Sequence, residues 1–555
     1  MSPQISAQDN KEHYTALNAN ADWVPLCGKC GAACCVLLRL PNPSVVMMVT
    51  QAVSFSVLVY QDWVSIHFIT SNIQIARRLG LTDVLCYEKS GDIGGTWNHN
   101  QYPGAACDIP MSLYSFSFAH PHKLTTQWAG QQEIMRYLHE VQEKFQVHNI
   151  CFHHEAKQML FSRDTGLWTL ELKELKTGRT KTRTCNILIS CVGGLSIPND
   201  PTFDTKDFNG DVMHSAQWNH DVSVVDKDVV VVGNGCSAAQ IVPEIADKVK
   251  SLTQIARSRQ SILRRPPVPD GGWMVFMQNY IPGMSYLFRF LIFLLGEYDF
   301  KGMDLIRGQK LRQWVSKDLT SYIREVAPKK YWDVLEPNFE VMAKRRVFDA
   351  GYYKALHNPK VDLISDDALE TVKGDTVTTR EGRKLKADVI VLCTGFKIQE
   401  FLFPLKIAND KGEDLATVLG SSNASNYLGT LVAGFPNYFW IMGPNTATGH
   451  SSVIFTSECQ IGMMIKLIKP ILKKLEQNRD ASPGPIVEVS KQAQDAYMGK
   501  VRAEMKKKVW EKDGGVSWYV NKGTGLCTAL YPWSQVHFWR SSAWLSMKDF
   551  IYSNC

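Results

Sequence analysis

The sequence lacks the features of a secreted, membrane-spanning or polyanion-binding protein. Its first 22 residues have no basic region followed by an apolar stretch, as a secretory signal would. The apolar runs 44–60 and 287–295 are short and interrupted by polar or charged residues, so neither predicts a membrane span, although peripheral membrane contact stays open. The 61 Lys and Arg residues against 54 Asp and Glu leave a net charge of only +7, which implies no nucleic-acid partner.

The 14 cysteines also lack the regular spacing of a disulfide framework. A reducing compartment, the cytoplasm, is therefore expected. Four cysteines cluster as Cys27-x-x-Cys30-x-x-x-Cys34-Cys35, but no histidine follows at zinc-finger spacing. We predict a disordered segment there and no metal site.

What is present is an ordinary globular composition. The chain has 555 residues, 45% hydrophobic and 21% charged, which allows two to four domains around large cores. One segment differs from the rest, because residues 23–71 contain only Lys29, Arg39 and Asp62 as charged residues. From residue 72 onward the chain alternates between predicted strands, helices and Gly- and Pro-rich loops, beginning with a short predicted helix at 72–79.

One nucleotide-binding unit can be recognised from local pattern. The β-branched run 228–232 leads into Gly233-x-Gly235-x-x-Ala238, a predicted helix at 239–249 and a second strand at 251–256. Gly233 allows the tight turn, Gly235 lets the backbone approach a pyrophosphate at the positive helix end, and Ala238 permits close helix–strand packing. The pattern predicts a Rossmann-like dinucleotide site.

The residue that ends the next strand indicates which nucleotide binds. Arg257 and Arg259 follow the second strand where an acid would select NAD, so we predict recognition of the 2′-phosphate of NADPH. Earlier in the chain, a strand at 83–88 ends in Glu88, which suits an unphosphorylated ribose, and Gly94 and Gly95 follow closely. One chain with both arrangements suggests two dinucleotides, FAD and NADPH.

Three motifs resemble those of a known family. They are Gly94-Gly95-Thr96-Trp97, Tyr102-Pro-Gly-Ala-Ala-Cys-Asp108, and Phe208-x-Gly210-x-x-x-His214-x-x-x-Trp218. In this order they resemble the class B flavoprotein monooxygenases, and Trp218 favours the Baeyer–Villiger branch. The resemblance extends from about residue 72 to residue 549 and includes 343–346, 394–396, 443–446 and 517–519.

The resemblance implies an α/β fold with two Rossmann-like dinucleotide-binding domains and a helical insertion. It implies an oxidoreductase in which NADPH reduces FAD and one oxygen atom of O2 is inserted beside the carbonyl of a lipophilic ketone, giving an ester or lactone. The predicted parts are an atypical segment (1–71), the FAD domain (72–195 and 393–555), the NADP domain (196–262 and 340–392) and the insertion (263–339).

The resemblance also implies residue roles. Arg345 would be the active-site cation, and Asp108 the carboxylate that orients it and contacts the nicotinamide. His214, with Gly210 and Trp218, would couple the two domains. The predicted cofactor-binding residues for FAD and NADP together are Glu88, Gly94, Gly95, Thr96, Trp97, Ala106, Cys107, Asp108, Tyr114, Gly233, Asn234, Gly235, Cys236, Ser237, Ala238, Ala239, Ala256, Arg257, Lys344 and Trp518.

The chain departs from the family at the expected FAD glycine loop. This loop should lie near residues 64–72, but no glycine occurs between Gly31 and Gly80. Bulky His67, Phe68 and Ile69 carry Cβ atoms where the pyrophosphate should meet bare backbone, so we predict weak FAD binding. We expect the segment 23–71 to replace both the first strand and its loop, as a translated intron would.

Three further interpretations complete the prediction. The aromatic stretch 286–295 is expected to form part of the core or a pocket wall. The alternative reaction is N- or S-oxygenation by a related flavin monooxygenase. The alternative from another class is a non-catalytic homologue that has lost FAD.

Overall fold

The structure, a computed structural model, describes residues 57–61, 66–81, 84–195, 197–268, 270–421, 423–478, 482–512 and 517–555. The cysteine cluster at 27–35 and most of the predicted atypical segment lie outside these residues. All elements below belong to one unit that extends from residue 55 to residue 555.

The first sheet has five parallel strands in the order β19-β7-β1-β2-β3. Its strands are β1 (Val57–Gln61), β2 (Val84–Glu88), β3 (Ile150–Cys151), β7 (Ile187–Ser190) and β19 (Tyr438–Trp440). Strand β1 is central, because it pairs with both β2 and β7. The expectation that the segment 23–71 lacks this strand is wrong, since Val57-Leu-Val-Tyr60 is a run of residues that favour strands.

Helix α1 (Ile66–Leu79) follows β1 and begins six residues before the helix predicted at 72–79. Phe68 and Ile69 in its first turns are fully buried, and the helix packs against α11 (Val453–Gln477). Burial of these apolar side chains stabilises the first turns of the helix. Polar residues among them made this part of the helix hard to predict from the sequence.

The second sheet also has five parallel strands, in the order β13-β10-β9-β17-β8. Its strands are β8 (Asp211–His214), β9 (Asp228–Val232), β10 (Ser251–Ala256), β13 (Val361–Ser365) and β17 (Val389–Leu392). Helix α4 (Cys236–Ile245) connects β9 to β10 and begins three residues before the predicted helix. The predicted βαβ unit is therefore present, with both strands at their predicted bounds.

The remaining described strands form smaller sheets. They comprise β4 (His154–Ser162), β5 (Leu167–Glu174), β6 (Thr180–Cys185) and β18 (Lys406–Ala408); β14 (Leu369–Lys373), β15 (Thr376–Thr379) and β16 (Lys384–Lys386); β11 (Ile262–Leu263) with β12 (Val347–Phe348); and β20 (Ile486–Val489) with β21 (Phe550–Ser553). The predicted domain boundaries stay predictions.

The other helices lie mainly in the predicted insertion and near the C-terminus. They are α2 (Thr96–His99), α3 (Gln131–Lys144), α5 (Gly272–Tyr280), α6 (Met284–Asp299), α7 (Gln309–Val326), α8 (Trp332–Leu335), α9 (Tyr352–Ala355), α10 (Leu415–Ser421), α12 (Lys491–Met505) and α13 (Gln535–Ala543). Among the described residues, none of the helices combines the length and apolar character needed to cross a membrane.

The aromatic stretch 286–295 differs from its prediction. Only Ile292 is buried in α6, whereas Tyr286, Phe290 and Leu295 are each more than half exposed. The expectation of a core or pocket wall is wrong for this outer face. Apolar residues surround the helix on every side, but the rest of the described chain covers only one of those sides.

Candidate functional site

The turn between β9 and α4 has the geometry of a phosphate-binding loop. Gly233 has φ +117°, and a Cβ atom there would lie 2.4 Å from the carbonyl oxygen of Cys393, so only glycine fits. A Cβ at Gly235 would point into open space beside the helix N-terminus. Asn234 donates from Nδ2 to the carbonyl oxygen of Ser258 at 2.5 Å, which joins the ends of two neighbouring strands. This open crevice fits a dinucleotide pyrophosphate.

The two predicted phosphate-binding arginines differ in their surroundings. Arg259 donates to Asp366 Oδ2 at 2.9 Å and to the carbonyl oxygen of Asp333 at 2.6 Å, so its guanidinium is held within the protein. Arg257 is exposed directly after the buried Ala256, and no ion pair of Arg257 occurs in the described part of the chain. The structure therefore leaves Arg257 as the arginine that can reach a 2′-phosphate.

Lys344 lies next to this pair. Its Nζ donates to the carbonyl oxygen of Arg259 at 3.2 Å and lies 4.0 Å from the centroid of the Phe339 ring. The side chain is thus positioned at the carboxyl end of β10, the edge where Arg257 emerges. This location agrees with its predicted place in the NADP site.

The other predicted nucleotide site lies after β2. Glu88 is fully buried, and its Oε1 accepts a hydrogen bond from the Ser90 N–H at 2.6 Å. Gly94 has φ +105°, and a Cβ there would lie 2.3 Å from Met135 Sδ. Glycine is favoured at this turn because residues with a Cβ rarely adopt this positive φ, whereas the flexible end of the Met135 side chain could move aside. Gly95, also at positive φ, then precedes Thr96, the first residue of α2.

Trp97 connects this turn to the segment that follows the Tyr102–Asp108 motif. Its indole Nε1 donates to the Tyr114 hydroxyl oxygen at 2.9 Å, with the two rings nearly perpendicular. Burial raises the pKa of Tyr114, so its hydroxyl stays protonated. The pair fixes the geometry of two predicted FAD-binding residues.

Asp108 and Arg345, separated by 237 positions in the sequence, form an ion pair. Arg345 Nη2 lies 2.8 Å from Asp108 Oδ1 and 2.6 Å from Oδ2. The negative charge of Asp108 holds the pKa of Arg345 well above its usual value, so the guanidinium is always charged. About a third of the arginine side chain is exposed, which leaves the cation accessible.

Cys236, the first residue of α4, lies beside the ion pair of Asp108 and Arg345. It interacts with the Arg345 side chain, while burial raises the pKa of the Cys236 thiol and keeps it neutral. The pair of Asp108 and Arg345 therefore lies where the Tyr102–Asp108 motif meets the start of the second nucleotide-binding unit. Ser237, Ala238 and Ala239 follow in the same helix, and Ala238 is fully buried against the sheet.

The structure shows a connection at this junction that the sequence analysis missed. Tyr102 donates from its hydroxyl to Gln240 Oε1 at 2.8 Å, and Gln240 Nε2 donates to the carbonyl oxygen of Ala106 at 2.9 Å. A Cβ at Gly104 would lie 2.7 Å from the Gln240 carbonyl oxygen, which explains the glycine. The signal that could have revealed Gln240 is one amide side chain in an otherwise apolar helix face.

His214 ends strand β8 and lies against the 393–396 turn. Its Nδ1 accepts a hydrogen bond from the Ala216 N–H at 3.1 Å, and its ring lies edge-on to Phe396, 5.7 Å away. Burial lowers the pKa of His214, while a backbone hydrogen bond with Gly395 acts in the opposite direction. The imidazole is therefore neutral near pH 7 and packs between two parts of the chain.

The other two residues of this motif, Gly210 and Trp218, also make structural contacts. A Cβ at Gly210 would lie 2.2 Å from the carbonyl oxygen of Asp388, so the glycine permits β8 to approach β17. Trp218 is half-buried and packs against the core of the second sheet. These contacts agree with a coupling role and do not test it.

Trp518 lies in a loop near the ion pair. It is 37% exposed, its carbonyl oxygen accepts from Gln399 Nε2 at 3.0 Å, and its ring lies 4.5 Å from that of Tyr519. Burial raises the pKa of Tyr519, and the nearby positive charge of Arg345 acts in the opposite direction. The loop therefore brings Trp518 close to the predicted nicotinamide region.

The FAD glycine loop remains absent from the chain. Strand β1 ends at Gln61 and α1 begins at Ile66, so the connection at 62–65 is Asp-Trp-Val-Ser, which lies outside the described residues. The equivalent connection in the second sheet contains Gly233 and Gly235. The residues for the adenosine end of FAD fit, whereas this connection does not offer the bare backbone that a pyrophosphate contacts.

Cys107, adjacent to Asp108, is buried, and burial raises its thiol pKa, so it serves as a small neutral residue. Of the 14 cysteines, the ten described all have free thiols. Groups of three or more His, Cys, Asp or Glu side chains arranged to hold a metal do not occur in the described ranges.

Two parallel sheets, each with a nucleotide-type strand end, define a fold with two dinucleotide-binding domains. Comparisons with solved structures agree with this fold. A steroid monooxygenase bound to NADP superposes with a TM-score of 0.74 at 22% identity, covering 90% of this chain and 99% of that one. A closed cyclohexanone monooxygenase superposes with a TM-score of 0.75 at 21% identity and the same coverage.

Sequence relatives identify the family. A Baeyer–Villiger monooxygenase of Streptomyces coelicolor is 31% identical over 481 residues, covering 85% of this chain and 88% of the relative. Another of Pseudomonas aeruginosa is 30% identical, covering 82% and 84%. The L-lysine 6-monooxygenase/L-ornithine 5-monooxygenase family profile matches residues 110–265. The chain belongs to the Baeyer–Villiger monooxygenase family, which confirms the predicted resemblance.

Proposed function

We propose that the protein inserts one oxygen atom of O2 next to the carbonyl of a lipophilic ketone, yielding an ester or lactone. The net reaction consumes ketone, O2, NADPH and a proton and releases ester, NADP+ and water. The observation that carries the proposal is the ion pair of Asp108 and Arg345, an always-charged guanidinium at the junction of the two nucleotide-binding units.

The cofactors are FAD and NADPH. FAD would supply the two-electron transfer from NADPH to O2 that this reaction needs. On the NADP side, the backbone at Gly233 and Gly235 would hold the pyrophosphate, and Arg257 with Lys344 the 2′-phosphate. On the FAD side, Glu88 would bind the ribose, with the turn Gly94–Trp97 and Tyr114 beside it.

Arg345 would act as the fixed cation of the reaction. Oxygen insertion builds negative charge on the substrate oxygen, and a preorganised positive group stabilises that charge without having to reorient. Asp108 is a positioning residue, because its two oxygens hold one guanidinium nitrogen and leave the other nitrogens to face the substrate. His214 would couple the two domains as a neutral side chain and would not act as a base.

Product analysis tests the proposal. The purified protein, supplied with FAD and NADPH, is incubated with ketone and thioether substrates, and products are identified by mass spectrometry and NMR. Ester or lactone formation supports the proposal, whereas sulfoxide without ester supports heteroatom oxygenation. A folded, colourless protein that FAD cannot reconstitute would support a non-catalytic homologue. Arg345→Ala should abolish ester formation while NADPH still reduces the flavin.

The cytoplasm is the proposed location. Ten described free thiols suit a reducing compartment. Fractionation of the source cells, with activity followed in each fraction, tests this location.

A further inference from the structure

The helical hairpin of α5 and α6 presents a broad apolar face to solvent. Between residues 273 and 298, large apolar or aromatic side chains are 43% to 71% exposed. They are Trp273, Phe276, Tyr280, Ile281, Tyr286, Leu287, Phe290, Leu291, Leu294, Leu295 and Tyr298. We call this set the hairpin face. Scattered apolar residues are normal on a protein surface, but a continuous group of this size marks an interaction site.

The hairpin face also lacks charge. Arg289 is the only charged residue between positions 271 and 296. Its guanidinium turns inward, where Nη1 donates to the carbonyl oxygen of Ser115 at 2.7 Å. Within 271–296 no charged side chain therefore opposes transfer of this face into an apolar medium. The two acids at the end of α6 are already bonded to the protein, because Glu297 accepts from the Gln535 N–H at 2.8 Å and Asp299 pairs with Arg346.

The inner side of the hairpin is fixed to the segment that follows Asp108. Asn279 Nδ2 donates to the carbonyl oxygen of Leu124 at 3.0 Å, and Oδ1 accepts from the Leu124 N–H at 3.1 Å. Gln278 forms a hydrogen bond with Ser112 on the same side. These bonds set which side of the hairpin faces the protein, so the outer apolar face is a fixed feature of the fold.

Positive side chains follow the hairpin face directly. Lys301, Arg307 and Lys310 are exposed, and within the described ranges none of them forms an ion pair. Lys301 Nζ lies 4.9 Å from the centroid of the Tyr298 ring, which joins this cationic edge to the apolar face. The nearby acids Asp299 and Asp304 pair with Arg346 and Lys508, and the charge of Arg307 also acts on Asp304. Lys301 and Lys310 therefore supply most of the positive charge of this edge.

We infer that the hairpin face docks on the surface of an anionic lipid bilayer. Trp and Tyr side chains favour the level of the lipid headgroups, and lysine and arginine beside them attract anionic lipids. Helix α6 has 16 residues and is roughly 24 Å long, shorter than the hydrocarbon core of about 30 Å. The hairpin therefore lies in the interface without crossing it. This docking does not depend on the oxygenation chemistry.

Sedimentation with lipid vesicles tests the inference. The full-length protein should bind vesicles of equimolar phosphatidylcholine and phosphatidylserine at least about tenfold more tightly than vesicles of phosphatidylcholine alone. The double variant Trp273→Ser/Leu295→Ser should bind about tenfold more weakly. The control variant Trp544→Ser/Met547→Ser changes residues of comparable exposure, 65% and 50% against 63% and 63%, and should bind like the parent.

Two further measurements test whether the hairpin face binds a lipid bilayer or is covered by a second copy of the chain or by another part of the chain. Lys301→Gln/Lys310→Gln should lose the preference for phosphatidylserine, and hydrogen exchange of peptides from 273–298 should slow when vesicles are added. This exchange measurement needs only the parent protein, so it remains decisive if a variant fails to fold.

Three results would overturn the inference. One is vesicle binding that the hairpin variant does not weaken. Another is a dimer of the parent that the hairpin variant converts to a monomer, which would make a second copy the occupant. The third is strong exchange protection of 273–298 in a monomer without vesicles, which would mean that another part of the chain covers the face.

Discussion

The ion pair of Asp108 and Arg345 allows a quantitative prediction. Asp108→Asn removes the negative charge but keeps the size of the side chain, so Arg345 loses its two short charge-assisted contacts. Hydrogen bonds of charged groups contribute about 1.5–3 kcal/mol. The side chains are 34% and 19% exposed, so solvent screening places the loss in the lower half of this range. We expect product formation to slow by roughly 10- to 45-fold.

The assay separates positioning from general damage. NADPH oxidation, followed by absorbance, should slow less than ester formation, because a misplaced cation affects the oxygen-insertion step most. The fraction of NADPH that is oxidised without product should therefore rise. Asp299→Asn is the matched control, since it disrupts the neighbouring ion pair with Arg346 and should leave this fraction unchanged. An Asp108→Asn enzyme with parental product yield per NADPH would refute the reasoning.

Three further predictions concern the cofactors and acid stability. Arg257→Ala should raise the KM for NADPH by about 10-fold or more and leave that for NADH unchanged, whereas Arg259→Ala should mainly lower the melting temperature; equal effects on KM would contradict the assignment. Asp62→Gly/Val64→Gly, which copies the spacing of the other turn, should tighten FAD binding in a titration; stoichiometric FAD in the purified parent would show that the loop needs no glycine. Burial lowers the pKa of His67 to about 4 against 6.5 unfolded, so the stability that this neutral imidazole carries is complete above pH 6.5 and is lost as the pH falls toward 4. Between pH 6.5 and 4, His67 should lower the free energy of unfolding measured with urea by at most about 3 kcal/mol. His67→Gln should therefore reduce the slope of unfolding free energy against pH in this range; the same slope in the variant would show that His67 is not the cause.

The local elements of the second nucleotide-binding unit follow from the sequence. Strands β9 and β10 have their predicted bounds because a run of β-branched residues between turn residues has few other stable conformations. The predicted start of α4 was three residues late, since the glycine turn itself passes directly into the helix. Family-specific motifs supported the first unit and indicated the reaction class.

The first unit shows the limit of motif reasoning. The missing glycines suggested that strand β1 was missing too, yet Val57–Gln61 occupies the centre of its sheet. Strand formation depends on backbone pairing and apolar burial, which this segment can supply, whereas the loop depends on one residue type that it lacks. A chain can therefore form the strand without the glycine loop, and the glycine motif predicts only the loop.

Taken by itself, the sequence determined the βαβ unit and the pair of candidate arginines, because short-range spacing specifies turns, helix starts and strand ends. The candidate active-site residues followed from its resemblance to a known family. Only the tertiary structure decided which distant groups meet: Arg345 with Asp108, Gln240 with the Ala106 carbonyl, and Arg259 with Asp366. It also decided that the described part of the chain leaves the hairpin face exposed. Contacts between distant segments depend on how whole elements pack, and an apolar helix has no local feature that says which of its sides the rest of the chain will bury.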